Sequence, residues 1–296
     1  MWGGPITFVQ ALYRFRQRNG DVKFRKLLNK LHVFGILLQD ITFDYFIELD
    51  KVRALSFGNL GTTVSTYNGE RANPAWLLND GGHFWRYITV MKQTEVNGHG
   101  PMSEHYDHGG EGDTPAFLYL ISAKLGLNDP RDPTQGSWGT MFKPMHPGFP
   151  KGYFETCSVD RNEIERWIPQ AKNSFLNRLQ YSVKGPKEVN HEPKAVVNGN
   201  EKNEIVRIST AKGKPVKIDA SRSFDPDGNE IAYNWIFYKE ASDYTGSLLL
   251  DNSSSPIQTI TLPADIGRNT IHLILEVTDN GSPQLVSYRR VILSAR

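Results

Sequence analysis

The chain has 296 residues, 39% of them hydrophobic and 22% charged, a length and composition suited to two globular domains. Its 34 basic and 32 acidic residues leave a formal net charge of +2, which excludes a strong electrostatic case for nucleic acid or an acidic membrane surface. The single cysteine, Cys157, excludes an intrachain disulfide and a thiolate metal cluster, and no run of 18 apolar residues is present to span a membrane.

The segment Met1-Trp2-Gly3-Gly4-Pro5 lacks a charged start and an apolar core, so no signal peptide is expected. Residues 6–18 predict a helix with Val9, Leu12 and Tyr13 on one face, stopped by Asn19-Gly20. A second helix is expected over 22–30, and the basic residues between Arg14 and Lys30 fall on its wet face and that of the first. Residues 33–38 form an apolar run of strand length, suited to a strand buried on both faces in a parallel sheet. A helix over 43–49 and a strand over 52–57 continue an α/β alternation.

From 58 to 113 the periodicity weakens, and Asn79-Asp80-Gly81-Gly82 and Asn97-Gly98-His99-Gly100-Pro101 break the chain. Irregular stretches of that length in a compact domain are usually functional. Residues 114–125 predict a clear helix, with Thr114 as cap, Pro115 at its first position and Gly126 after it. Residues 127–153 read as loop. Another helix is expected from Asp160, with Glu163 as capping-box partner, running to about Tyr181, kinked or restarted at Pro169. Lys184-Gly185-Pro186 and Asn190-His191-Glu192-Pro193 then mark a linker over 184–193.

Beyond the linker the period becomes two. Val216, Ile218 and Ala220 alternate with polar residues; so do Ile231, Tyr233, Trp235 and Phe237, and Ile271, Leu273, Leu275 and Val277. Turn signals at Asp225-Pro226-Asp227-Gly228-Asn229 and Asp279-Asn280-Gly281-Ser282-Pro283 separate them. Residues 194–296 are therefore expected to be an immunoglobulin-like β-sandwich with Trp235 in its core.

The densest polar cluster runs from His99 to Thr114. Asp113, at a helix start, suits either stabilisation of the unpaired N–H groups there or a metal or substrate carboxylate. The spacing of His99, His105 and His108 fits no closed zinc motif, and sequence distance alone does not make Glu104 and Glu111 an acid/base pair. Trp138, in Gly136-Ser137-Trp138-Gly139, suits equally a stacking platform for a sugar or base and a plug for its own loop. Asp225, Asp227 and Asp279 have the chemistry of Ca²⁺ ligands and also that of tight turns, which is the stronger reading.

Glu111-Gly112-Asp113-Thr114-Pro115, followed by Phe117-Leu118-Tyr119-Leu120-Ile121, resembles the signature of a bacterial family of nucleoside-hydrolase-like, cellulose-binding proteins. Trp2-Gly3-Gly4-Pro5, His99-Gly100-Pro101, Gly136-Ser137-Trp138-Gly139 and Asn190-His191-Glu192-Pro193 extend the resemblance. It implies a nucleoside-hydrolase-type α/β domain over 1–183, with a mostly parallel sheet, followed by the sandwich. It also implies an ancestral hydrolysis of N-glycosyl bonds by water bound to Ca²⁺, with Asp113 and the backbone carbonyl of Thr7 as metal ligands and His99, Glu111 and Trp138 lining a pocket. The alternatives are a non-catalytic cellulose-binding protein and an inactive fragment. The ligand expected is a carbohydrate or nucleoside-like small molecule, and the family form is expected to be exported. The Asp-rich loop that supplies the general base in nucleoside hydrolases has no counterpart here, so the α/β domain is expected to lack its first part.

Overall fold

The computed structural model describes residues 4–35, 76–79, 115–144, 152–156 and 165–296. The chain divides into two compact units, Met1–Phe84 with Phe142–Asp160, and Trp85–Met141 with Arg161–Arg296. Residues 161–296, on both sides of the boundary expected near 183, fall in the second unit. The expected elements at 43–49 and 52–57 lie outside the described residues.

In the first unit, helix α1 (Gly4–Leu28) carries Leu12, Phe24 and Leu28 inward. Gly20 interrupts it with φ 74° and ψ 170°, values that suit a residue without a Cβ, so the two helices expected from the sequence meet at this break. Strands β1 (His32–Gly35), β2 (Trp76–Asn79), β3 (Phe142–Pro144) and β4 (Tyr153–Thr156) form one sheet in the order β1-β2-β4-β3. The first three in that order run parallel, with Val33 opposite Leu77 and Leu78 opposite Phe154. The edge strand β3 is antiparallel. The Phe34 ring stands edge-on to Phe142, centroids 5.7 Å apart. Strands β2, β3 and β4 arise where the sequence predicted irregular chain.

The second unit begins with α2 (Pro115–Lys124). Its end is a Schellman cap: Leu127 N–H donates to the Ser122 carbonyl at 3.0 Å and Gly126 N–H to Ala123 at 3.0 Å. Gly126 sits at φ 93°, and a Cβ there would lie 2.3 Å from the Tyr288 carbonyl oxygen. Helix α3 (Ile168–Gln180) starts afresh at Pro169, whose missing N–H costs nothing in a first turn.

The sandwich has a sheet ordered β5-β10-β9-β7 and a second of β6 and β8. The strands are β5 (Val206–Thr210), β6 (Pro215–Asp219), β7 (Ile231–Phe237), β8 (Ile257–Thr261), β9 (Thr270–Asp279) and β10 (Val286–Ala295). Trp235, Ile218, Ile260, Leu273, Leu275 and Val291 fill the space between the sheets, as the alternation predicts. The outer face of the larger sheet is buried too. There Ile274, Val286, Tyr238 and Tyr288 pack on Leu118, Leu127, Trp138, Trp167 and Ala171. A sheet covered on both faces explains why β9 and β10 are buried at almost every position.

Candidate functional site

Of the residues singled out in the sequence, His99, Glu111 and Asp113 lie outside the described residues. Thr7 is exposed in the first turns of α1. A carbonyl at that place points along the axis toward the N–H four residues on; the groups left unpaired at a helix start are N–H donors, not carbonyls. Thr7 thus lies in the helix, where its carbonyl faces the N–H of the next turn. No group of three or more His, Cys, Asp or Glu side chains that could hold a metal ion occurs among the described residues. Asp113, the other metal ligand that the resemblance implies, lies outside those residues.

Trp138 is completely enclosed, at 0% exposure. Its Nε1 donates to the Tyr288 hydroxyl at 3.1 Å, and its ring meets the Tyr288 ring edge-on at 6.2 Å. With no free ring face, it is a plug for its loop and not a stacking platform. The loop is built around it by short-range bonds. Ser122 Oγ donates to Asn128 Oδ1 at 2.7 Å and accepts from Trp138 N–H at 3.3 Å. Asp132 caps the short 3₁₀ turn Pro133–Gln135, accepting from the Thr134 hydroxyl at 2.6 Å and from Gln135 Nε2 at 3.0 Å.

Beside this plug lies a buried polar seam that sequence reasoning missed. Arg290 has no exposed surface; its Nε donates to the Leu127 carbonyl at 2.6 Å and its Nη2 to the Gly136 carbonyl at 3.3 Å. Its guanidinium lies over the Tyr238 ring at 5.0 Å, and Nη1 meets His272 Nδ1 at 3.1 Å. Burial, and then the Arg290 charge, push His272 down to about 4, so its imidazole is the neutral acceptor in that pair. Burial raises Glu276, against the Asn234 Nδ2 hydrogen bond of 2.8 Å that favours its ionised form. These groups are spent on one another and on backbone carbonyls, so the seam is structural.

The sandwich turns hold carboxylate oxygens with backbone N–H groups, while Asp225 Oδ2 is buried without a partner among the described residues. Asp225 Oδ1 accepts from Asp227 N–H at 2.9 Å and from Asn229 N–H at 3.1 Å. Asp279 Oδ1 accepts from Gly281 and Leu285 N–H at 3.0 and 2.9 Å. Asn190, in the segment expected to be a linker, donates to Asp279 Oδ2 and to the Pro283 carbonyl, each at 2.9 Å, and accepts from Asn229 Nδ2 at 2.8 Å. His191 pairs with Asp227 at 2.9 Å. The Asn177 side chain of α3 donates to the Asn190 carbonyl at 2.9 Å. Asn190-His191-Glu192-Pro193 is therefore a clasp between α3 and the sandwich.

An open groove of about 420 Å³ runs along α1, lined by Thr7, Gln10, Ala11, Arg14, Phe15, Arg18 and Asn19, all of this one helix. These positions recur every three or four residues and share a helix face. The neighbouring Arg16 is occupied, bonding Asp21 at 2.7 Å and holding its carboxyl below the usual range. The apolar spacing located α1, but it assigned Arg14 and Arg18 only to its wet face.

A mostly parallel sheet with a helix in one unit and a β-sandwich with helices in the other is the fold class of a nucleoside-hydrolase-related protein with a C-terminal all-β region. Residues 1–142 match the family described as "Cellulose-binding Sde182, nucleoside hydrolase-like domain", and residues 215–295 match "Cellulose-binding protein Sde0182, C-terminal domain". The two spans together take in well over half of the chain, with the nucleoside hydrolase-like match ahead of the C-terminal one. A solved structure of a nucleoside hydrolase-related hypothetical protein from Saccharophagus degradans, associated with carbohydrate metabolism, aligns with all of this chain and 70% of its own, at 28% identity and a TM-score of 0.79. Human CDH23 EC21-23 aligns with 36% of this chain and 34% of its own, at 15% identity and a TM-score of 0.26. The PKD domain from the KIAA 1837 protein aligns over 31% of this chain and 81% of its own, at 22% identity and a TM-score of 0.23. Likenesses that low carry no argument. No curated protein matches the chain.

Proposed function

We propose that this protein binds polysaccharide of the cellulose class, outside the cytoplasm, as part of carbohydrate breakdown. One observation carries the reading: both domains of a cellulose-binding family follow one another along the chain. Retention on microcrystalline cellulose and on a panel of other insoluble glycans tests it. Retention on cellulose above that of an unrelated protein of equal charge is expected; passage through every glycan would sink the reading. Trp138 is not a contact in it, because a ring with no exposed face cannot stack on a sugar.

A second reading, hydrolysis of N-glycosyl bonds with calcium-bound water, is supported by the nucleoside-hydrolase-like character of the first 142 residues. It places the metal on Asp113. The expected result is no release of free base from purine or pyrimidine nucleosides with added calcium. Turnover that disappears in Asp113→Ala would establish the second reading in place of the first.

A further inference from the structure

We infer that the groove along α1 binds a carboxylate-bearing saccharide, a uronic-acid unit of an acidic polysaccharide. The inference rests on the carbohydrate-binding part of the reading above and adds to it a second, acidic ligand class and its site, since cellulose itself carries no carboxylate. Arg14 and Arg18 stand one helical turn apart on the groove wall, and both are exposed. Like charges at that spacing destabilise a helix unless something neutralises them. Among the described residues no acid does so, since the one acidic side chain of α1, Asp21, is bonded to Arg16.

The arrangement fits a carboxylate in chemistry as well as charge. A guanidinium presents a planar fork of donors that a carboxylate accepts in parallel pairs, which a hydroxyl cannot do. Gln10 and Thr7, one and two turns before Arg14 on the same wall, add short donors and acceptors of the kind that hold sugar hydroxyls. Phe15 contributes an apolar surface between them, against which the C–H face of a pyranose ring can lie. The near-neutral chain has no general attraction for polyanions, so affinity for an acidic glycan must come from a local site.

The test uses the full chain on polygalacturonate-coated and cellulose beads in parallel, with inorganic phosphate and galacturonate as soluble competitors. Two doubly substituted variants are compared. Arg14→Gln with Arg18→Gln removes the groove charges. Lys23→Gln with Lys26→Gln removes two exposed charges from the other segment of the same helix, outside the groove. Circular dichroism confirms that both variants stay folded. The wild type is expected to be retained on polygalacturonate. The arginine variant should lose more than about tenfold in affinity, the scale of two charge-assisted hydrogen bonds, and the lysine variant less than about threefold. Galacturonate should compete at lower concentration than phosphate. Equal losses in the two variants, no retention of the wild type, or phosphate competing as well as galacturonate would each overturn the inference. Cellulose retention reports separately on the general reading: if it survives while polygalacturonate is ignored, only the groove assignment falls.

Discussion

The indole Nε1 of Trp138 donates to the hydroxyl of Tyr288 across 3.1 Å, although 150 positions separate them in the chain. Trp138 belongs to the Gly-rich loop after α2 and Tyr288 to the last strand of the sandwich. The two rings, with Trp167 edge-on to Tyr288 at 5.6 Å, form the centre of a core shared by helices and sheet.

Trp138→Ala should therefore act on stability. Deleting so large a buried ring costs about 3–5 kcal/mol, and it leaves the Tyr288 hydroxyl without its partner. Urea unfolding followed by far-UV circular dichroism measures the loss. If the variant unfolds at the wild-type midpoint, the shared core is wrong. Trp138→Phe keeps most of the ring and should fall between the two.

Asn190 should be the most sensitive position of the segment after α3. Its side chain makes three hydrogen bonds, so Asn190→Ala should cost about 2–4 kcal/mol. Gly281→Ala should damage the same place, because a Cβ there would stand 2.3 Å from Asn190 Nδ2. The double variant should be little worse than the poorer single one, since both disturb one contact. Losses that simply add would contradict the clasp.

His272 predicts sensitivity to acid. Its pKa is depressed from 6.5 to about 4 in the folded protein, first by burial and then by Arg290. The unfolded chain therefore binds the proton more readily. The contribution is whole above pH 6.5, declines as the pH falls through that value, and is gone near pH 4. A shift of that size corresponds to roughly 3 kcal/mol. Glu276 and Asp279, both raised by burial, work in the opposite direction over acid pH. The comparison that isolates the histidine is wild type against His272→Gln. The variant should lose less stability than the wild type between pH 6.5 and 4. Parallel pH profiles would remove His272 as the cause.

Expressed alone, residues 194–296 should bind a hydrophobic dye and associate. Ile274, Val286 and Tyr288 would lose the cover of Leu118, Trp138 and Trp167. A stretch from 115 to 296 keeps that cover and should bind less dye per chain. A soluble, dye-negative 194–296 fragment would restore the sandwich as a free-standing module.

Much of this was legible in the sequence. Alternation located β6, β7 and β9 and put Trp235 in the core. Helical spacing found both segments of α1 and the break at Asn19-Gly20. Edge strand β5 and the short β8 were missed because Val206-Arg207-Ile208-Ser209-Thr210 and Ile257-Gln258-Thr259-Ile260-Thr261 each carry only two apolar residues. The four-residue β2 lay hidden among glycines and asparagines, although the apolar run Trp76-Leu77-Leu78 ahead of Asn79-Asp80-Gly81-Gly82 was a usable sign. Arg290 could not have been placed. A charged residue in a strand reads as solvent-facing, and only the tertiary fold brings carbonyls 127 and 136 to its guanidinium. The family signature reached the relationship but misjudged Trp138, because a loop tryptophan looks the same whether its partner is a sugar or a distant tyrosine.

The cap at the end of α2 has a consequence for how such a protein is inherited. Strand β10 pairs with β5 from Val291 onward; before that, Tyr288 N–H donates to the Leu125 carbonyl at 2.8 Å and Arg290 N–H to Gly126 at 3.3 Å. A helix end thus supplies what a neighbouring strand would otherwise supply. Shuffling that carried only the last hundred codons to another gene would deliver a sheet with half of one border stripped. The heritable cassette is longer than the sandwich and begins no later than α2.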